Sequence, residues 1–153
     1  RDITGILQDA DGLRLAIDEM AKLVSQVDCD VIAGAESRGF ILGMPIAYLL
    51  KKPFVPIRKA GKLPRETVSE TYDLEYGTAT IEIHKDAIKP GQKVVLIDDL
   101  IATGGTMKAS ADLVEKLGGK VEEIVFLIEL AGLNGRDVLS KYKVESVVKY
   151  EGK

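Results

Sequence analysis

The chain predicts an α/β fold with a mostly parallel central sheet flanked by helices, and three observations carry that reading. Apolar runs at residues 30–35, 94–97 and 121–130 read as strands buried on both faces, as parallel strands under covering helices are. Stretches with apolar residues at helical spacing lie between them. Four strands end in polar or glycine-rich material: Glu36-Ser37-Arg38-Gly39, Arg58-Lys59, Asp98-Asp99 with its glycine loop, and Glu129. In a mostly parallel sheet such ends meet along one rim, where ligands collect.

Length and composition are consistent with this. At 153 residues the chain reads as one domain, 1–153, long enough for a real core. Its 46% hydrophobic and 29% charged content is ordinary for a soluble globular protein. A formal charge of −3 argues against nucleic-acid binding through a broad basic field, yet leaves room for a local phosphate pocket. Cys29 is the single cysteine, which excludes an intrachain disulfide and a multi-cysteine zinc site and points to the cytoplasm. No apolar run approaches the roughly 18 residues of a membrane span. The chain opens on Arg1-Asp2-Ile3-Thr4 without an initiator methionine or an apolar leader, so native N-terminal residues are expected to be missing.

Asp9 or Asp11 caps a first helix whose Leu13, Ala16, Ile17, Met20, Ala21 and Val24 recur at helical spacing. The strand at 30–35 leads through the polar turn 36–39 into a helix over 40–50. Residues 54–57 form a short strand, expected near an edge or bulged because Pro56 lacks an N–H. Positive charge then gathers in residues 58–65. From 70 to 85, alternation at Tyr72, Leu74, Tyr76, Ile81 and Ile83 around Gly77-Thr78 predicts an antiparallel arm. Pro90-Gly91 is a turn before the strand at 94–97. A helix over 106–117 stops at Gly118-Gly119, and further strands follow at 121–130 and 144–148.

The stretch 94–106 organises the rest. A buried strand runs to Asp98-Asp99, and Ala102-Thr103-Gly104-Gly105-Thr106 then opens a helix. Helix-start N–H groups lack intrahelical partners, and with the Thr103 and Thr106 hydroxyls they suit a phosphate. Adjacent acids suit a sugar diol or a magnesium-bearing ligand. If the backbone stays extended, Asp98 and Asp99 point to opposite sides: Asp98 toward a ribose with Asp99 supporting the loop, or both turned inward by the loop. The stretch has neither the Lys-Ser/Thr of a nucleotide-triphosphate loop nor the Gly-x-Gly-x-x-Gly of a dinucleotide fold. The reading is a phosphorylated, hydroxyl-bearing ligand.

These thirteen residues closely resemble the phosphoribosyl-diphosphate motif of the type I phosphoribosyltransferases. Arg1-Asp2-Ile3-Thr4, Glu36 to Phe40, Ile57-Arg58-Lys59, Gly61 to Pro64, Leu74-Glu75-Tyr76-Gly77, Glu82 to Asp86, Ile128-Glu129-Leu130 and Gly135-Arg136 narrow the resemblance to the adenine-using branch. It covers nearly the whole chain in the expected order. It implies the type I fold with a small, here truncated, N-terminal hood and a homodimeric assembly.

By the same resemblance, Ala102, Thr103, Gly104, Gly105 and Thr106 hold the 5-phosphate, and Asp98 and Asp99 approach the ribose hydroxyls. Glu36, Ser37 and Arg38 form the diphosphate loop, with Arg58, Lys59 and Lys62 adding neutralising charge. Glu75 and Tyr76 lie in the mobile catalytic loop, Glu75 as a general acid toward adenine N7, and Arg1 stands near the base. No protein metal cluster is implied; Mg2+ is held mainly through substrate oxygens and water. The implied reaction converts adenine and 5-phospho-α-D-ribose 1-diphosphate to AMP and diphosphate. A hypoxanthine, guanine or xanthine enzyme and a noncatalytic ribonucleotide sensor are the competing readings. Arg65 departs from the family's usual Lys-Leu-Pro-Gly-Glu and narrows that loop's dihedral freedom. His84 reads as structural, as does Cys29.

Overall fold

The computed structural model describes residues 3–151. Arg1, the candidate base-pocket residue, lies outside them. Strand β1 (Val31–Ala35) is buried along its whole length and lies at the centre of a seven-stranded sheet. Strands β2 (Phe54–Lys59) and β5 (Lys93–Ile101) flank it in parallel, and β6 (Lys120–Leu130) and β7 (Val144–Tyr150) extend the parallel array beyond β5. On the other side, β4 (Thr78–His84) and β3 (Thr67–Asp73) form an antiparallel hairpin attached to β2, giving the order β3-β4-β2-β1-β5-β6-β7. The sheet is thus mostly parallel, as the apolar runs require.

Alternation along the strands divides the core into two layers. Ile32, Val95, Ile97, Val125 and Leu127 pack against α2 (Ala10–Val24) and α3 (Arg38–Leu50). Val31, Ala33, Leu96, Ile124 and Phe126 meet α4 (Gly105–Lys116) on the other face. Between the alternatives for the first long helix, Asp9 is the cap: its carboxylate accepts the Gly12 N–H at 2.9 Å. A single turn, α1 (Thr4–Leu7), precedes it.

Several boundaries depart from the sequence reading, three of them at the rim of the sheet. Helix α3 begins at Arg38 rather than Phe40, so Arg38 and Gly39 belong to its first turn. Strand β5 runs on through both aspartates to Ile101, because β6 keeps pairing with it as far as Ile101 beside Glu129. Strand β2 is interior and reaches Lys59. The Ile32 and Glu36 N–H groups bond to the Pro53 and Ile57 carbonyls, so Pro56 turns its missing donor away from β1. On that far side β4 begins pairing only at Arg58, and no ladder bond is lost.

Candidate active site

The carboxyl ends of β1, β2, β5 and β6 lie on one rim. The chain leaves β1 through α3 toward β2, while β5 occupies β1's other side. That reversal of direction opens a crevice at the strand ends. A cavity of about 220 Å³ lies there, lined by Arg38, Asp98, Asp99 and the run from Leu100 to Met107, with Phe126 at its back.

Local chemistry explains the loop. After Ile101 the chain turns through Ala102 and Thr103 to Gly104, whose φ of +87° is left-handed and carries no steric cost for glycine. Gly104 is the N-cap of α4 and has no side chain to occupy the first-turn N–H groups. The helix dipole adds partial positive charge at that point. The Thr106 hydroxyl donates to Tyr72 Oη at 3.1 Å, tying the hairpin to the loop. Lys116 adds a second tie, donating to the Ser69 carbonyl at 2.6 Å and pairing with Glu70 at 2.8 Å.

The two aspartates divide their work. Asp99 is 6% exposed, and its Oδ2 accepts from Arg38 Nε at 2.5 Å. Asp98 Oδ1 accepts the Asp99 N–H at 2.8 Å. Burial and then the neighbouring Asp99 charge push the Asp98 pKa up to about 8. A Cβ on Gly39 would stand 3.1 Å from the Ile97 carbonyl oxygen and 3.5 Å from Asp98 Oδ1, so glycine lets α3 start directly on the strand ends.

A second cavity, of about 260 Å³, lies beside the first between β1, β2 and the hairpin, and Thr106 and Tyr72 border it. Glu36, Arg58 and Lys59 stand on its wall. The Glu36 carboxylate accepts from Arg58 Nε at 3.1 Å and from the Lys59 N–H at 2.8 Å. Burial opposes its charge, but the Lys59 N–H and the Arg58 guanidinium outweigh burial and hold its pKa below the ordinary value.

The structure therefore gathers Arg38, Asp98, Asp99 and the run from Ala102 to Thr106 around one cavity, and Glu36, Arg58 and Lys59 around its neighbour. Ser37, Lys62, Glu75 and Tyr76 line neither and are exposed. The Leu74 to Gly77 segment forms the tip of the hairpin, outside both strands, so the alternation expected to include Leu74 and Tyr76 ends at Asp73. Tyr72, Met107 and Phe126 are lining residues that the sequence reading did not single out for the site. Tyr72 had a signal in its alternating arm; Met107 and Phe126 read as ordinary core.

The sequence from 5 to 151 matches the family model for the phosphoribosyl transferase domain. The chain is 74% identical to the adenine phosphoribosyltransferase of Agathobacter rectalis over its whole length, spanning 88% of that protein. The chain belongs to the adenine phosphoribosyltransferase family. It superposes on the crystal structure of the enzyme of that name from Thermoanaerobacter pseudethanolicus with a TM-score of 0.95 at 53% identity, covering 98% of this chain and 87% of the other. The adenine phosphoribosyltransferase from Trypanosoma brucei, crystallised with AMP, pyrophosphate and ribose-5-phosphate, superposes with a TM-score of 0.88 at 31% identity over 97% of this chain and 68% of its own. The type I fold expected from the 94–106 motif is the fold observed.

Proposed function

We propose that this chain transfers the 5-phosphoribosyl group from 5-phospho-α-D-ribose 1-diphosphate to adenine, giving AMP and diphosphate. The observation that carries the reading is one cavity combining a glycine-capped helix start with two aspartates and an arginine, in a member of this family. The Trypanosoma brucei relative crystallised with AMP, pyrophosphate and ribose-5-phosphate supports it.

The 5-phosphate sits on the Ala102 to Thr106 loop, where small residues admit close approach to backbone N–H groups. Asp98 and Asp99 face the ribose hydroxyls. Breaking the C1–O bond leaves positive charge on the sugar and negative charge on the departing diphosphate. Arg38, Arg58 and Lys59 take up that negative charge, with Glu36 orienting the Arg58 guanidinium and holding the Lys59 backbone N–H, and Ser37 and Lys62 at the margin. Adenine N9 attacks C1 from the opposite face. The hairpin tip closes so that the Glu75 carboxylate takes the imidazole proton from adenine N7 as N9 bonds to C1, returning it as general acid in the reverse reaction. Tyr76 excludes water, while Tyr72 ties the strand next to the tip to Thr106.

Magnesium fits as a companion of the substrate. Among the described residues no group of three or more His, Cys, Asp or Glu side chains could hold a metal. Asp99 is engaged by Arg38 and Asp98 accepts the Asp99 N–H. Bound through diphosphate and ribose oxygens and water, Mg2+ would neutralise leaving-group charge. A homodimer accounts for the outer face of α3, which exposes Ile41, Met44, Tyr48 and Leu49. A cytoplasmic location accords with the lone buried Cys29; among the described residues no helix is long and apolar enough to cross a membrane.

The decisive experiment supplies the activated sugar with adenine, hypoxanthine, guanine or xanthine and measures nucleotide and diphosphate. AMP as the dominant product supports the reading. Efficient IMP, GMP or XMP formation with negligible AMP reassigns the base, and nucleotide binding without consumption of the sugar points to a sensor.

A further inference from the structure

The 5-phosphate loop leans on a second segment. The 3-10 helix Gly135–Leu139 lies beside it, anchored in the core by the fully buried Leu139. A Cβ on Gly104 would stand 2.6 Å from Val138 Cγ2 and 2.7 Å from the Gly135 carbonyl oxygen. A Cβ on Gly135 would collide with the Ala102 carbonyl oxygen and stand 2.7 Å from Ile101 Cγ1. Loop and segment thus interlock through two glycines, backbone against backbone.

An ion pair between the exposed Arg136 and the buried Glu129 pins the segment from its other side. Arg136 donates from Nε and Nη2 to the two Glu129 carboxylate oxygens at 2.8 and 2.9 Å, and from Nη1 to the Val144 carbonyl at 2.7 Å. Ser146 Oγ donates to Glu129 Oε1 at 2.9 Å. Glu129 is 4% exposed and stands in register beside Ile101, the last residue of β5 before the loop. The Arg136 hydrogen bonds, aided by Ser146, outweigh burial and hold the Glu129 pKa below its ordinary value, so the pair is fully charged at neutral pH. A planar fork binding two oxygens fixes orientation as well as distance.

We infer that Arg136 and Glu129 are positioning residues for the 5-phosphate loop. They set the place of Gly135 and Val138, and these in turn set the curvature of Ala102 to Gly104. Neither charged side chain lines the cavity, so they act without touching the sugar. The inference rests on the assignment of the loop as the 5-phosphate site. The specific expectation is that the network governs recognition of the 5-phosphate and leaves the diphosphate and base ends of the site unchanged.

Arg136→Lys keeps the positive charge and removes the fork. Calorimetric titration of this variant with ribose 5-phosphate should show affinity weakened about tenfold. Its affinity for inorganic diphosphate and its KM for adenine should stay close to wild type. Val138→Ala, which leaves the ion pair intact and removes the contact with Gly104, should weaken ribose 5-phosphate in the same direction by a smaller factor. Unchanged ribose 5-phosphate affinity in Arg136→Lys, or an equal loss for both ligands, overturns the inference. Wild-type turnover of adenine, measured alongside, tests the transferase reading separately.

Discussion

Arg38 Nε donates to Asp99 Oδ2 at 2.5 Å across the crevice between β1 and β5, joining the first residue of α3 to β5 near its carboxyl end. The arginine side chain is 54% exposed and the aspartate side chain 9% exposed, so one partner faces the cavity while the other is anchored. The pair orients the guanidinium at the place proposed for the departing diphosphate. Arg38→Lys should therefore weaken diphosphate binding by roughly tenfold, because an ammonium cannot reproduce the planar fork. Global stability should fall by less than about 1 kcal/mol, since the arginine's exposure screens the pair. Titration with diphosphate and urea unfolding separate the two effects; an unchanged diphosphate affinity would remove Arg38 from the binding role.

Asp98 makes stability depend on pH in a direction opposite to that of most aspartates. Its carboxyl is pushed up to about 8 in the folded chain against an ordinary 3.8, because partial burial strips it of water and then because Asp99 lies beside it. Between those values the native state holds a proton that the unfolded chain releases. Its contribution is complete below the unfolded pKa, declines as pH rises, and is gone above the folded one. Asp98→Asn should flatten that decline and raise stability most at pH 8 and above. Urea unfolding across this range measures it, and equal slopes for variant and wild type would refute it.

Much of this was legible in the sequence. Apolar runs at 30–35 and 94–97 located the central strands because parallel strands buried on both faces leave no polar alternation. The Asp-Asp-x-x-Ala-Thr-Gly-Gly-Thr run located the cavity because strand end and helix start are contiguous in the chain. The interior position of β2 was hidden, since a proline's effect depends on which side of the strand its missing N–H faces, and that is set by the partners' register. Tyr72 was legible as an alternating strand residue but not as a partner of Thr106, a contact made only by tertiary packing.

Glu75 stands at the exposed hairpin tip, beyond the last paired residues Asp73 and Thr78. The role proposed for Glu75 therefore requires the tip to close over the crevice. Glu75→Gln should lower kcat by about a hundredfold, the lower bound for a lost general acid–base group. Affinity for the activated sugar should stay near wild type, because the tip lines neither cavity. Steady-state kinetics with a separate binding titration decide the point, and undiminished kcat would eliminate the residue as the acid–base group.

The outer face of α3 gives the proposed homodimer a test. Tyr48 is 84% exposed and Met44 54% exposed, on a helix whose other side is buried in the core. Met44→Lys places a charge in that apolar surface without entering the interior. Sedimentation should then show a wild-type dimer and a variant shifted to monomer with its helical content retained. A dimer unaffected by the substitution would place the interface elsewhere.

Glu123 is the one wholly buried carboxylate in the described core without a hydrogen bond to either oxygen. It lies in β6 just past the register shift opposite Val94 and Val95, with Lys143 Nζ 3.4 Å from its Oε2. Burial raises its pKa, and the Lys143 charge only partly opposes this. The folded chain thus binds this proton more tightly than the unfolded one, so stability falls as pH rises from the unfolded value through the raised one. Glu123→Met replaces the carboxylate with an apolar group of similar reach and should stabilise the fold by about 1–2 kcal/mol near pH 8, and by less at pH 5. Lys143→Met should do the reverse, because it strips the carboxylate of its counter-charge. If both substitutions destabilised equally at pH 8, the ion pair would outweigh the burial of Glu123 and this prediction would fail.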